Sequence, residues 1–301
     1  MNASLYCCVD GGASHTRVAL YDAAGSRLGL TVGGPTSLTV RGTDAWDVIL
    51  AALENLAQAI SLDGDYLATI AFGVGLAGAN NAEQRRLFVD AAPRAASLRV
   101  STDAYIAALG AHGGAPGAIV IVGTGSVGYR IEAAGRCRLV GGWGFLVGDE
   151  GSGAWIGRRA ISETVRVLDL RNRERAGELH RAVAAHCGAT REDMLSWLWG
   201  AEPARFAELA PLVIEWAGNG DAAALAIVTQ AGREIDALAE ALDPARNVPL
   251  ALVGGLADPL DPFLPDRLRA WIRAPQADPI AGALMLARGR APDETIVWQN
   301  R

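Results

Sequence analysis

The sequence predicts an α/β protein built from two duplicated halves, and three observations carry that expectation. Segments of strand-like and helix-like periodicity alternate along 301 residues, a length that suits two domains. Three apolar strands end in glycine-rich loops: Val9-Asp10-Gly11-Gly12, Val122-Gly123-Thr124-Gly125-Ser126 and Val253-Gly254-Gly255. The turn Asp22-Ala23-Ala24-Gly25 is echoed 110 residues later by Glu132-Ala133-Ala134-Gly135, each closing a glycine-tipped hairpin before a further strand.

The elements follow in order. Leu5 to Val9 runs into the first glycine tip, Thr16 to Tyr21 resumes an alternating pattern, and Arg27 to Val32 supplies a third strand. Thr43-Asp44 can cap a helix whose apolar positions Trp46, Ile49, Leu50, Leu53, Leu56 and Ile60 recur at helical spacing. A strand from Thr69 to Val74, a helix from about Ala82 to Ala92 and a strand from Leu98 to Ser101 complete the first half. The second half opens on Ala118 to Val122 and Val127 to Ile131. Helical patterns follow over Ala154–Leu168, Ala176–Cys187, Arg191–Trp199, Phe206–Trp216 and Ala222–Leu242. Pro249 to Val253 reads as a buried strand, and Asp278-Pro279 opens a last apolar helix that runs through Ala287. The expected boundaries are 1–115 for the first domain, with the final helix (about 279–290) packing back on it, and 116–301 for the second with a helical insertion.

Composition removes several chemistries. All 27 basic residues are arginine, so the lysine of a P-loop, of a protein-kinase strand or of a Schiff base is missing. A formal charge of −6 with scattered arginines offers no basic face for nucleic acid or anionic lipid. No window approaches the roughly 20 apolar residues of a membrane span, and MNASLYCCVDGG has no basic start, so a cytoplasmic protein is expected. Cys7, Cys8, Cys137 and Cys187 form no CxxC, and Cys7 and Cys8 read as alternating members of a buried strand. His180 and His186, six apart on one helix, and His15 in the first tip build no metal site.

The glycine tips point to phosphate. A nucleotide phosphate chain needs backbone N–H groups at close range, hydroxyls, and a carboxylate for magnesium, and these loops supply all three. Asp10-Gly11-Gly12 with Ser14 and Thr16, Ser101-Thr102-Asp103-Ala104, Gly123-Thr124-Gly125-Ser126, and Gly141-Gly142-Trp143-Gly144 leading to Gly148-Asp149-Glu150-Gly151-Ser152 resemble the N-acetylglucosamine kinase and BadF/BadG/BcrA/BcrD ATPase-type group. That group lies within the actin-like ATPase superfamily. Gly254-Gly255 is similar to its adenosine loop, and Asp278-Pro279-Ile280-Ala281-Gly282-Ala283 to its closing helix.

The resemblance implies two ribonuclease-H-like domains related by duplication, with ATP and a sugar in the cleft between them. It implies ATP- and Mg²⁺-dependent transfer of phosphate to the 6-hydroxyl of N-acetylglucosamine or glucosamine by a homodimer. An ATPase switch that activates an iron–sulfur dehydratase is the alternative. Asp103 is then the catalytic base and also touches the sugar, and Asp10 holds the metal. Gly11, Gly12, Ser14, Thr16, Gly123, Thr124, Gly125, Ser126, Gly254 and Gly255 surround the nucleotide. Ser37, Gly78, Thr124, Gly142, Trp143 and Asp149 face the sugar. Ser37, where the family commonly has asparagine, and Ala77 before Gly78 are departures that shorten polar groups near the sugar.

Overall fold

The first three strands form an antiparallel meander because each connection is short and glycine-tipped. In the computed structural model, which describes residues 4–62, 64, 66–169, 176–291 and 295–296, these are β1 (Leu5–Gly11), β2 (Thr16–Asp22) and β3 (Arg27–Gly33). Helices α1 (Leu38–Arg41) and α2 (Ala45–Ala59) lead to β4 (Ile70–Leu76), then α3 (Ala82–Asp90), β5 (Ser97–Thr102) and α4 (Asp103–His112). The strand order is β3-β2-β1-β4-β5, with β4 parallel to both β1 and β5.

Register sets up the site. Gly11 pairs with Thr16 and Leu76, Thr16 with Gly33, and Leu76 with Thr102. One row, Gly33–Thr16–Gly11–Leu76–Thr102, therefore crosses all five strands, and the carboxyl ends of β1, β4 and β5 share one edge. Ligands of open α/β sheets bind at such ends.

The predicted face of α2 is the buried one: Trp46, Ile49, Leu53 and Leu56 pack on the sheet. Trp46 stacks on Phe88 at 4.5 Å, meets Phe72 edge-on at 5.6 Å, and donates its indole N–H to Phe88 O at 2.8 Å. Cys7 lies in this core, and Cys8 is buried on the opposite face of β1.

The second sheet repeats the path. Strands β6 (Gly117–Val122), β7 (Ser126–Ile131) and β8 (Arg136–Gly141) are followed by helices α5 (Gly153–Leu168), α6 (Glu178–Cys187), α7 (Arg191–Leu198), α8 (Pro203–Ala207), α9 (Ala210–Gly218) and α10 (Ala222–Leu242). Then β9 (Leu250–Val253) returns parallel to β6. After α11 (Ala257–Leu260), α12 (Asp266–Arg269) and α13 (Pro279–Ala287), β10 (Thr295–Ile296) completes the order β10-β8-β7-β6-β9. Each sheet thus lays three consecutive strands side by side and adds a later strand next to the first.

The two echoed tetrapeptides are geometrically equivalent. Asp22 N–H donates to Ser26 O and Glu132 N–H to Arg136 O, while Gly25 and Gly135 both take positive φ (97° and 75°). The single helix expected over Phe206–Trp216 is two helices, α8 and α9. Pro211 lacks the N–H that would bond the carbonyl of residue 207, so the helix restarts with proline in its first turn.

The chain divides into two compact units, Met1–Gly117 with Arg130–Arg138 and Ala274–Arg301, and Ala118–Tyr129 with Leu139–Arg273. In the first, α13 packs on α4, β1 and β4. Missing side chains make that approach possible. A Cβ at Gly282 would lie 1.9 Å from Ile106 O, one at Gly73 would lie 2.0 Å from Ala283 O, and one at Gly110 would lie 2.2 Å from Asp278 O.

Candidate active site

In the first unit the site gathers at the carboxyl ends of β1, β4 and β5. Asp10 and Arg17 are direct cross-strand partners on one face. Arg17 donates from Nε (3.0 Å) and Nη2 (2.7 Å) to a single oxygen of Asp10, Oδ2, and from Nη1 to Asp278 Oδ2 at 3.1 Å. Asp278 caps α13, accepting from Ala281 N–H at 3.1 Å. Asp10 is the metal holder that the resemblance implies, and the sequence does not mark Arg17 as its partner. Nor does it mark Asp278, because an Asp-Pro helix start looks like an ordinary cap and its partner is 261 residues away.

The first glycine tip sorts the expected phosphate groups into two kinds. Gly12 N–H is held by His15 O (3.0 Å), whereas Ser14 is exposed, and the N–H groups of Ala13 and Ser14 have no partner among the described residues. Gly11 is demanded by packing, since a Cβ would fall 2.1 Å from Thr36 Oγ1 and 2.4 Å from Leu76. Thr16 is fully buried. Its hydroxyl donates to Gly34 O (2.7 Å) and shares a hydrogen bond with Thr36 Oγ1 (2.7 Å), so its role here is to tie the 34–36 loop to β2. Ser37 is also buried, with its Oγ 2.7 Å from Thr39 Oγ1. Gly78 has φ +83°, and a Cβ there would lie 3.1 Å from Thr39 N, so its identity follows from the turn after β4.

Asp103 opens α4 and is half-buried, next to the row that ends in Thr102. The capping bond is made by Thr102, whose Oγ1 accepts from Tyr105 N–H at 3.0 Å, and Asp103 Oδ1 accepts from Ala104 N–H at 2.9 Å. Thr102 thus supplies the cap, and Asp103 sits in the helix's first turn.

In the second unit, Gly123–Ser126 links β6 to β7 and is braced by the start of α5. Gly153 N–H donates to Gly123 O (2.8 Å) and Ala154 N–H to Thr124 O (3.1 Å). Ser126 is buried: its hydroxyl donates to Glu150 O (2.8 Å) and its N–H to Asp149 Oδ1 (3.3 Å). Asp149 sits at φ +58° under the loop, and a Cβ on Gly125 would lie 2.9 Å from its carboxylate. Burial raises the Asp149 carboxyl above its ordinary range, the bond from Ser126 N–H opposes this, and Glu150 adds to it. The structure therefore joins Asp149 to the Gly123–Ser126 loop, a link that the sequence did not reveal. Thr124 and Gly125 keep N–H groups with no partner among the described residues.

Four glycines of ordinary φ have no internal packing reason, Gly34, Gly123, Gly218 and Gly255, and two of them, Gly123 and Gly255, follow the ends of β6 and β9. A Cβ at Gly123 or at Gly255 meets nothing within 4 Å, and neither has positive φ. Ile121 pairs with Val253 in parallel register, so Gly123 and Gly255 lie in the loops that leave the same ends of two neighbouring strands. Neither contributes a side chain to the loop that follows its strand. Gly254, in contrast, needs its φ of +101° and would clash with Val122 O at 2.4 Å. Gly142 (φ +68°) and Trp143 lie on an exposed loop, with Trp143 73% exposed.

The donor set bears on metal and cluster chemistry. Among the described residues no three His, Cys, Asp or Glu side chains group to hold a metal. A lone carboxylate such as Asp10, with Oδ1 unpartnered among the described residues, fits Mg²⁺, which takes one or two carboxylates together with phosphates and water. All four cysteines are buried and outside any disulfide, and burial raises the thiols of Cys7, Cys8 and Cys187, the last to about 11. Such thiols do not suit a surface iron–sulfur cluster. No helix among the described residues is long and apolar enough to cross a membrane.

Comparison with known proteins agrees with this frame. The chain is 31% identical to a glucosamine kinase of Vibrio cholerae, over 94% of this chain and 95% of that protein. It is 26% identical to an N-acetylmuramic acid/N-acetylglucosamine kinase of Clostridium acetobutylicum, over 93% and 97%. The solved structure of a Chromobacterium violaceum protein assigned as an N-acetylglucosamine kinase superposes with a TM-score of 0.90 at 40% identity, covering 95% of this chain and 99% of that one. A glucokinase of Streptomyces griseus, solved with glucose and AMPPNP, shares the fold at 18% identity and a TM-score of 0.51. The model of the BadF/BadG/BcrA/BcrD ATPase family matches residues 8–287, and the chain belongs to that family.

Proposed function

We propose that the protein is an ATP-dependent kinase that phosphorylates the 6-hydroxyl of an amino sugar, glucosamine or N-acetylglucosamine. The observation that carries this reading is the placing of two carboxylates, Asp10 and Asp103, at one edge of one sheet, in a chain related over nearly its whole length to a glucosamine kinase.

Asp103 accepts the proton of the sugar hydroxyl as its oxygen bonds to the γ-phosphorus, and the bond from that phosphorus to the bridging oxygen breaks to release ADP. Asp10 holds Mg²⁺, which when bound supplies charge neutralisation across the phosphates. In the first unit the unpartnered N–H groups of Ala13 and Ser14, with the Ser14 hydroxyl, are donors suited to phosphate oxygens; taken by itself, the second unit offers those of Thr124 and Gly125. Gly123 and Gly255 admit the nucleotide at a distance no side chain would permit. Thr16, Ser126 and Asp149 keep these loops in shape through the bonds described above. The exposed Trp143 ring and the glycines around it form a wall for the sugar. The buried cysteines favour the kinase over an activator of an iron–sulfur dehydratase.

A coupled ADP-release assay with ATP and Mg²⁺ across glucosamine, N-acetylglucosamine, N-acetylmannosamine and glucose tests the reading. The expected result is turnover dependent on an amino sugar. ADP release that is the same with and without every sugar refutes it.

A further inference from the structure

We propose that Asp278 is a positioning residue for the metal-holding carboxylate: by sharing Arg17 with Asp10, it sets how strongly Asp10 holds a divalent cation. The proposal rests on the reading of Asp10 given above.

Arg17 places both Nε and Nη2 on Asp10 Oδ2 and leaves Oδ1 unpartnered among the described residues. Guanidinium remains charged at any working pH, so Arg17 and a divalent cation are rivals for one carboxylate. The remaining arm of the fork, Nη1, reaches Asp278 Oδ2 at 3.1 Å. The side chains are 19% (Asp10), 27% (Arg17) and 48% (Asp278) exposed, which leaves their mutual field only partly screened by water. Two carboxylates and one guanidinium sum to −1, and that residual charge is what an incoming cation meets.

Asp278 is suited to the task because it cannot follow Arg17. Its Oδ1 is engaged by Ala281 N–H, Pro279 fixes the next backbone angle, and α13 is seated by close approaches at Gly110, Gly282 and Gly73. When a cation draws on Asp10, Arg17 can loosen its hold there and remain beside the site on Asp278. Removing the Asp278 charge leaves Arg17 wholly to Asp10, in a neutral pair that attracts a cation less. Removing the Arg17 charge leaves −2, which attracts it more.

The test is binding of Mn²⁺, a spectroscopically visible substitute for Mg²⁺, to the full chain without nucleotide or sugar, followed by electron paramagnetic resonance. Asp278→Asn should weaken binding about three- to ten-fold, and Arg17→Gln should tighten it by a similar factor. The double variant restores the sum of −1 and should return to within about two-fold of wild type. Asparagine is as good a helix cap as aspartate, so Asp278→Asn should melt as wild type does. If Asp278→Asn leaves Mn²⁺ affinity unchanged, or if the two single variants shift it in the same direction, the proposal fails. Absence of Mn²⁺ binding to the wild-type chain at millimolar concentration also overturns it. Asp10→Asn separates the two readings: if it retains full Mn²⁺ affinity, the metal assignment itself is wrong. If Asp10→Asn loses binding while Asp278 and Arg17 variants match wild type, only the positioning role is wrong.

Discussion

Gly123 and Gly255 offer a direct test of the nucleotide site, because the fold has no need of them. Both have ordinary φ, and a methyl group at either would touch nothing within 4 Å. Replacing each with alanine should restrict the unfolded chain without straining the folded one, adding about 0.4–1 kcal/mol of stability. In a unit of this size that raises the melting temperature by about 1–3 °C. Nucleotide binding should move the other way. A methyl group at the loop surface holds a phosphate oxygen or the adenosine beyond hydrogen-bond distance, and a lost bond to a charged group costs about 1.5–3 kcal/mol, or roughly ten- to a hundred-fold in affinity. Gly254→Ala is the control, since φ +101° and the 2.4 Å approach to Val122 O should lower the melting temperature instead. Calorimetric titration with ADP alongside thermal melting reads both effects. If Gly123→Ala and Gly255→Ala bind ADP as wild type does, these glycines do not meet the nucleotide and the argument fails.

Asp103→Asn keeps the shape of the first turn of α4 but cannot take a proton, so kcat should fall about 10²–10⁴-fold while sugar affinity changes far less. Near-normal turnover would move the base elsewhere, with Asp149 next to be tested. His180 accepts from Gly177 N–H at 3.0 Å through Nδ1, and its buried Nε2 has no partner among the described residues. Burial lowers its pKa below the ordinary 6.5, with Asp221 and Glu163 opposing and Arg181 adding. The unfolded chain therefore takes the proton first, so this contribution to stability is complete above 6.5 and is lost as pH falls through the lower folded value. His180→Gln keeps an acceptor at the third helical position and does not titrate, so its melting temperature should decline less than that of wild type as pH drops below 6.5; an equal decline would assign the acid sensitivity elsewhere. Gly282→Ala drives a methyl group to within 1.9 Å of Ile106 O, should separate α13 from α4, and should destabilise by the upper end of about 1–3 kcal/mol in denaturant melts. A variant as stable as wild type would show that the two helices can part freely.

Features set by local physics are legible along the chain. Strand periodicity ending in glycine marked β1, β6 and β9, helical spacing marked the buried face of α2, and the repeated turn at Asp22–Gly25 and Glu132–Gly135 marked the duplicated path. Even there Pro211 divided a helix whose apolar spacing ran on without interruption, because spacing reports a face and not the hydrogen bonds beneath it. How the candidate site groups divide their labour depends on long-range packing. Sequence proximity to a glycine tip put Ser14, Thr16, Thr124 and Ser126 on an equal footing. Burial and long-range bonds turned Thr16 and Ser126 inward as braces, and left the N–H groups of Ala13, Ser14, Thr124 and Gly125 without a partner among the described residues. The same holds for Asp149 under Gly125 and for Asp278 beside Arg17. An ion pair needs two charges within a few ångströms, and that distance is set by strand register and by glycine-to-backbone helix contacts. Neither leaves a trace in the spacing of residues along the chain.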